Sequence, residues 1–150
     1  MGRHYNKPGR IATQYGLSLE QTSGIMAIFA QRGVHGSEAA TQLRSIMRNM
    51  TTPTANTTRA WEMLGTTLFN ADGSMRNLDD VLGDIRSGMA NLNDEQRAFV
   101  TQNLAGSYGQ VGFNALLASD GIEAMVETME GQTSASEVAE ARMSNVSGGD

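Results

Sequence analysis

Residues that start and stop helices interrupt the apolar periodicity of this chain about every 10 to 16 residues. Ser18 opens the first clear case: in S-L-E-Q the Ser side chain can accept from the Gln21 N–H while Gln21 reaches back, a capping box. Ile25, Met26, Ile28 and Phe29 follow at helical spacing until Gly33, so a helix is predicted over 18–32. Short, capped helices fold a chain back on itself. The sequence therefore predicts an all-α, compact multi-helix domain of about seven helices.

The stretch GVHGSEAATQLRSIM, residues 33–47, joins this helix to the next. Gly33 can adopt the left-handed conformation that ends a helix, and Val34 can fold back as an apolar contact. Gly36 and Ser37 can start the following helix. Its apolar residues recur at spacings of three and four: Ala39, Ala40, Leu43, Ile46, Met47 and Met50. We expect a helical hairpin with a two- or three-residue turn, so the stretch is interpreted as packing.

Similar signals predict the remaining helices. Thr52 and Pro53 are expected to cap and begin a short helix that ends at Gly65. Asn77 is expected to cap the most regular helix, with Asp79 and Asp80 in its first turn. The buried stripe of that helix is Leu78, Val81, Leu82, Ile85 and Met89. If Asp84, outside this stripe, faces water, Asp84→Asn is expected to cost under ~0.5 kcal/mol. Further helices are predicted after Asn93, within 107–119, after Asp120, and over 134–146.

One segment breaks the helical period. Residues 66–76, TTLFNADGSMR, contain β-branched and aromatic residues on either side of Ala-Asp-Gly. This pattern predicts a small β-hairpin in which Gly73 supplies the positive φ of the turn.

Length and apolar content favour one domain in three parts. Residues 1–10 are expected to be an N-terminal arm or a remnant of cloning, 11–131 the helical module, and 132–150 a C-terminal helix that leads out of it. No apolar run approaches the ~20 residues of a membrane span, and no secretory signal is present, so we expect a soluble protein. The absence of cysteine favours a reducing compartment such as the cytoplasm.

Charge is distributed unevenly along the chain. Residues 1–50 hold six Arg/Lys and two Glu, a balance of +4, whereas residues 51–150 hold five Arg and fourteen Asp/Glu, a balance of −9. The two halves sum to −5. Lys7 is the single lysine, and the arginines lack the aromatic neighbours of a nucleic-acid surface. We therefore expect no nucleic-acid binding by this segment alone.

No catalytic, cofactor-binding or metal site is predicted, and the interaction residues are unknown at this stage. His35 lies in a turn and His4 near the start, without a second ligand at zinc spacing. Residues 68–79 resemble a calcium loop, with Gly73 at its sixth position, but Leu68 stands where the first carboxylate belongs. A turn is the better interpretation. Paired acids such as Asp94 and Glu95 are interpreted as helix caps.

Two other patterns have a structural interpretation. Gly106, Gly109 and Gly112 have the spacing G-x-x-G-x-x-G but follow a helix rather than a strand, so close helix packing is favoured over a dinucleotide site. Six of the ten methionines fall on predicted apolar faces: Met26, Met47, Met50, Met89, Met125 and Met129. They are expected in the core, with rearranging helix contacts as the alternative.

Four stretches in order resemble the core region of phage tail tape measure proteins, over about residues 11–146. They are YGLSLEQTSGIMAIFAQRGVHGSEAATQLRSIM, TTPT, LGTTLFNADGSMRNLDDVLGDIRSGMANLNDEQRA and LAGSYGQVGFNALLAS. The resemblance implies a structural protein, not an enzyme, that occupies the tail lumen of the virion after assembly in the host cytoplasm. It implies roles in tail assembly, tail-length determination and genome delivery.

Partners also follow from the resemblance: tail tube, tail-tip and tail assembly chaperone proteins. Self-association is left open, and membrane contact is expected only for the full-length protein during ejection. A helical ruler advances ~1.5 Å per residue, so 150 residues are too few to measure a long tail, and we expect the chain to be a segment. The alternatives are a free-standing phage or satellite protein that interferes with tail assembly and, less favoured, a tail-associated cell-wall hydrolase. Aromatics are only 5% of the chain, which argues against sugar binding.

Overall fold

The computed structural model describes residues 7–148 of the chain, and the side chains of residues 9–143. His4 and most of the predicted arm over 1–10 lie outside the described residues. Eight helices follow one another in the described part, and the all-α prediction is confirmed. They are α1 (Lys7–Tyr15), α2 (Leu19–Ala30), α3 (Gly36–Thr51), α4 (Ala55–Leu64), α5 (Leu78–Met89), α6 (Asp94–Ala105), α7 (Gln110–Ala118) and α8 (Ile122–Gly148).

Four of the eight described helices, α2, α4, α5 and α6, start at a local side-chain cap. Ser18 accepts from the Gln21 N–H at 2.9 Å, and Gln21 accepts from the Ser18 N–H at 2.9 Å, so the predicted capping box is present. Asn93 and Gln96 form the same arrangement at the start of α6. The start of α4 is corrected: Thr54 is its cap and Ala55 its first residue, because Thr54 and Thr57 form a capping box of their own.

The predicted β-hairpin over 66–76 is wrong. Among the described residues, Phe69 and Met75 form one isolated antiparallel bridge, and no strand is built on it. Gly73 has the predicted positive φ of 88°, but the arms of the turn are too short to extend a ladder. A two-stranded ribbon by itself is marginally stable. The segment is instead a loop fixed to α5 by side chains.

The core combines buried apolar residues from all eight described helices, with the largest number from α3. α3 lies against α1, α2, α6 and α7, and its stripe from Ala39 to Met50 is buried as predicted. The turn before α3 is also as predicted, with φ +78° at Gly33 and Val34 only 4% exposed. The stretch 33–47 is therefore packing.

Buried polar side chains of α3 fix the corner between α6 and α7. Ser45 donates to the Ala105 carbonyl at 2.7 Å, and Gln42 accepts from the Gly112 N–H at 2.8 Å. A Cβ on Gly112 would lie 2.7 Å from the Phe29 ring, and one on Gly109 would meet the Ala105 carbonyl oxygen. Close packing therefore explains this glycine spacing, as the sequence predicted.

The methionines lie mainly in or against the core. Met47 and Met50 are buried, and Met26, Met89 and Met125 are partly buried against the core. Met129 lies half-buried where α8 leaves the other helices.

Candidate interaction surfaces

The residues singled out for metal chemistry occupy separate structural roles. His35 is exposed at the N-cap position of α3 and makes no side-chain capping bond. Asp72 accepts from the Ser74 N–H at 3.0 Å and from the Ser74 hydroxyl at 2.6 Å. Its carboxylate therefore stabilises a turn. Asp79 accepts from the backbone of α8 instead. Within residues 7–148, no group of three or more His, Asp or Glu side chains is arranged to hold a metal ion.

Asp84 is part of a small polar network rather than a free surface residue. It accepts from Arg76 at 2.8 Å and from the Thr66 hydroxyl at 2.9 Å, and Arg76 also donates to the Thr67 carbonyl at 2.8 Å. These contacts fix the 66–76 loop to α5. The hydrogen bond from Arg76, followed by that from Thr66, lowers the pKa of Asp84 below its ordinary value.

The carboxyl groups of Asp72 and Asp84 both have lowered pKa values. The pKa of Asp72 is lowered by its hydrogen bonds to Ser74, and the pKa of Asp84 is lowered as described above. A glycosidase acid needs the opposite shift, so that its carboxyl group holds a proton near neutral pH. Neither residue fits the hydrolase alternative.

One surface groove lies between the α3–α4 turn and the loop after α4. It has a volume of about 560 Å³ and is lined by Trp61, Pro53 and six threonines among other residues. Phe69 stands at its edge with 41% of its surface exposed. The lining is mainly apolar, with hydroxyl groups around it. We call it the threonine groove.

A second groove lies where α8 diverges from the start of α2. It has a volume of about 590 Å³, and we call it the α2–α8 groove. The apolar surface of this groove comes from Leu19, Val126 and Met129. Leu19 is 66% exposed. The other lining residues of the groove are Glu20, Ser23, Glu130, Thr133, Ser134 and Glu137.

Two contacts fix the first part of α8 and so set the position of this groove. α8 crosses α2 closely at Gly24, where a Cβ would come 2.9 Å from Val126 Cγ2 and 3.1 Å from the Ile122 carbonyl oxygen. The Ile122 and Glu123 N–H groups donate to Asp79 of α5 at 2.7 and 2.9 Å. The sequence instead predicted a cap from Asp120, because a cap from a distant helix leaves no local signal.

The second part of α8 contributes nothing to the core. Every residue from 131 to 143 is exposed. The side of α8 that packs on α2 through Ile122, Val126 and Met129 continues as Thr133, Ser136 and Glu140. Residues three and four apart share one face of a helix, so this face changes from apolar to polar after Glu130. The helix leaves the core where its apolar stripe ends.

The described part of the chain is thus an all-α structural module, and the threonine groove and the α2–α8 groove are two of the grooves on its surface. Among the helices of residues 7–148, none combines the length and apolar character that a bilayer crossing requires.

The sequence matches the phage-related minor tail protein family over residues 1–106. It is also 32% identical, over 108 residues, to a tape measure protein of Pneumococcus phage Dp-1. That alignment covers 72% of this chain and 9% of the relative. No solved structure matches the chain. The chain belongs to the phage-related minor tail protein family, and its resemblance to tape measure proteins is confirmed.

Family membership gives the chain a structural role in a phage tail and a place in the virion tail. The chain spans less than a tenth of the length of the tape measure protein that it matches. The family match ends at residue 106, so α7 and α8 lie beyond it.

Proposed function

We propose that this chain is a folded segment of a tape measure protein that acts in tail assembly, tail-length determination and genome delivery. It works by contact with tail tube, tail-tip and assembly chaperone proteins, first in the host cytoplasm and then in the tail lumen. The observation that carries the proposal is the 32% identity to a tape measure protein of which the chain spans only 9%. The chain itself carries out no chemical reaction.

We assign different parts of this role to different residues, and the shape of the module supports that assignment. A ruler must be extended, because a helix adds only about 1.5 Å per residue. The helices from α1 to α7 fold back on one another and cannot span length in that way. Residues from about 132 onward form the helix that leads out of the module, and they are the part that we assign to the extended ruler. Residues 11–131 form the module that contacts other tail proteins.

A core variant in the parent phage tests the assembly role. Leu82→Asp places a charge among buried residues and is expected to cost about 3 kcal/mol or more of folding stability. We expect a phage with this change to produce heads without tails. Val111→Asp is the matched control, because Val111 is half-exposed in the first turn of α7, where a carboxylate is tolerated. Normal tails with Leu82→Asp would overturn the assembly role.

Paired insertions test the length role. Inserting 28 helix-forming residues after Ser136 extends α8 by about 42 Å, whereas the same number inserted in the Asp72–Gly73 turn extends no helix. Electron microscopy of purified virions is expected to find longer tails for the α8 insertion, by up to that amount. The turn insertion is expected to leave the length unchanged. Equal tail lengths in both phages would contradict the assignment of α8 to the ruler.

A further inference from the structure

We propose that the α2–α8 groove is a docking site for a basic amphipathic helix of another protein. That this other protein is a tail component rests on the proposed function. The chemistry of the groove does not depend on it. The α2 side of the groove lies within the family match, and its α8 side lies beyond residue 106.

The apolar part of the groove is an incomplete helix contact. Leu19 is the first residue of α2 and leaves most of its side chain in water, although it neighbours Val126 and Met129 across the groove. The space between the two helices, about 590 Å³, is large enough for several side chains of a third helix. Covering Leu19 would remove apolar surface from water, at roughly 25 cal/mol per Å².

The charged residues of the groove decide what kind of helix fits. Glu20, Glu130 and Glu137 line it, and no basic side chain is among its lining residues. None of the three carboxylates takes part in a salt bridge within the described part of the chain. A partner that brings only apolar residues would bury part of these charges without compensation. A partner with Lys or Arg beside its apolar stripe would pair with them.

The acidic surface also continues along α8 beyond the groove. Glu137 and Glu140 line a shallow extension of it with Met129. Glu130 and Glu137 are two helical turns apart, about 10 Å along the axis. A helix that lies along α8 can present cations at the same two-turn spacing, which is that of residues i and i+7. Charge complementarity of this kind raises the association rate and fixes the register of the contact.

Within residues 7–148, a second copy of this chain offers no free helix of this kind. The described helices with two basic residues are α1, with Lys7 and Arg10, and α3, with Arg44 and Arg48. The apolar residues of both helices are already buried in their own core. Two copies that meet through their α8 helices would bring acidic surfaces together, which opposes association.

The test uses the whole 150-residue chain and a synthetic helical peptide of about 18 residues, with leucine at i, i+3, i+4 and i+7 and lysine elsewhere. Calorimetry measures the affinity, and NMR shift changes map the contact. We expect the shifts to concentrate on residues 19–23 and 126–140, and the affinity to fall with added salt. A peptide with glutamate in place of lysine is expected not to bind.

Matched variants separate docking from general charge attraction. Glu130→Lys with Glu137→Lys is expected to weaken peptide binding about tenfold or more. The control pair, Glu62→Lys with Glu95→Lys, changes the net charge equally at exposed sites outside the groove and is expected to retain the affinity within about twofold. A second pair tests the apolar contact. Leu19→Ser is expected to weaken peptide binding, whereas Val111→Ser, at an exposed apolar residue outside the groove, is expected to leave it unchanged.

Three outcomes would overturn the proposal. The first is no peptide binding, and the second is equal weakening by both charge pairs, which would indicate attraction to net charge alone. The third is self-association of the chain that Leu19→Ser abolishes, which would make a second copy the occupant. None of these outcomes depends on tail assembly or tail length, so failure of this proposal is distinguishable from failure of the proposed function.

Discussion

At the scale of single residues, packing rather than helix propensity decides what a glycine contributes. α5 contains two glycines that show this. A Cβ on Gly88 would lie 2.6 Å from the Leu64 carbonyl oxygen and 3.0 Å from Leu64 Cα, so α4 and α5 touch through backbone there. Gly83 has nothing within 4 Å of a Cβ at its position. Both have ordinary helical backbone conformations, because neither has a positive φ.

Substitution of the two glycines by alanine is expected to change stability in opposite directions. Gly88→Ala forces α4 and α5 apart and is expected to lower the free energy of unfolding by about 1–3 kcal/mol. Gly83→Ala is expected to raise it by about 0.5–1 kcal/mol, because alanine loses less conformational entropy in a helix. Urea unfolding of both variants measures the difference. A stabilised Gly88→Ala variant would mean that the α4–α5 contact is looser than described.

The network around Asp84 makes part of the stability depend on pH. In the folded chain the pKa of Asp84 lies below its ordinary value of 3.8, because Arg76 and Thr66 donate to it. The folded state therefore favours the ionised carboxylate. Its contribution to stability is complete above the ordinary pKa and is lost as the pH falls through the lowered value.

We expect Asp84→Asn to lower the melting temperature at pH 7 and to have a smaller effect as the pH falls below 3.8. Thermal melts of wild type and variant from pH 7 to pH 2.5 measure this difference. The control repeats Asp84→Asn in a chain that carries Arg76→Gln. There the difference in melting temperature is expected to depend less on pH, because the main cause of the lowered Asp84 pKa is gone. A difference that stays constant across the range would show that the carboxylate charge is not the cause.

At the scale of helices, α5 holds the corner between α7 and α8 from both sides. Asp79 accepts from the first N–H groups of α8. Two turns later on α5, Arg86 donates to the carbonyls of Leu116, Leu117 and Ser119 at the end of α7, at 2.6 to 3.3 Å. An anion at a helix start and a cation at a helix end both match the helix macrodipole. The direction of α8 therefore depends on α5.

Removal of the Asp79 carboxylate is expected to loosen the start of α8. Asp79→Ala leaves the Ile122 and Glu123 N–H groups without their acceptor and is expected to cost about 1 kcal/mol, as for a lost helix cap. Hydrogen exchange is expected to speed up at these two amides. Asp80→Ala is the control, because Asp80 lies in the same first turn of α5 but is exposed. Equal exchange in both variants would contradict the role of Asp79 as the cap of α8.

At the scale of the whole molecule, α8 belongs to two environments. Its residues up to Val126 pack on α2, and residues 131–143 are exposed to water throughout. An isolated helical segment of about this length is marginally stable in water. Cooperative core contacts protect the first part of α8, and only local hydrogen bonds protect the second.

We expect amide protection in the free chain to fall sharply after Glu130. Hydrogen exchange followed by mass spectrometry compares residues 122–130 with residues 131–143, in a sample shown to be monomeric by ultracentrifugation. The lysine–leucine peptide is expected to raise protection over 131–140, because ligand binding stabilises the state that it binds. Strong protection over 131–143 in the free monomer would show that this segment packs on its own module.

The sequence by itself determined the helices and most of their ends. The capping boxes at Ser18 and Asn93, the left-handed Gly33 and the stripe from Leu78 to Ile85 depend on neighbours within one or two turns, so they can be predicted from local pattern. The family resemblance could be stated for the same reason, since its motifs are these helix starts and turns. α1 was missed because its short segment, KPGRIATQY, carries no capping signal.

Tertiary structure alone decided the features that depend on distant residues. The turn at Gly73 was predictable, but the arms around it form a single bridge, and the loop is fixed to α5 by the contact between Arg76 and Asp84. The cap of α8 comes from Asp79, 43 residues away, and displaces the role expected for Asp120. Two predicted helices, before and after Gly131, are one continuous α8. The α2–α8 groove exists because Gly24 lets two helices cross closely and then diverge, and the sequence gives no local sign of that crossing.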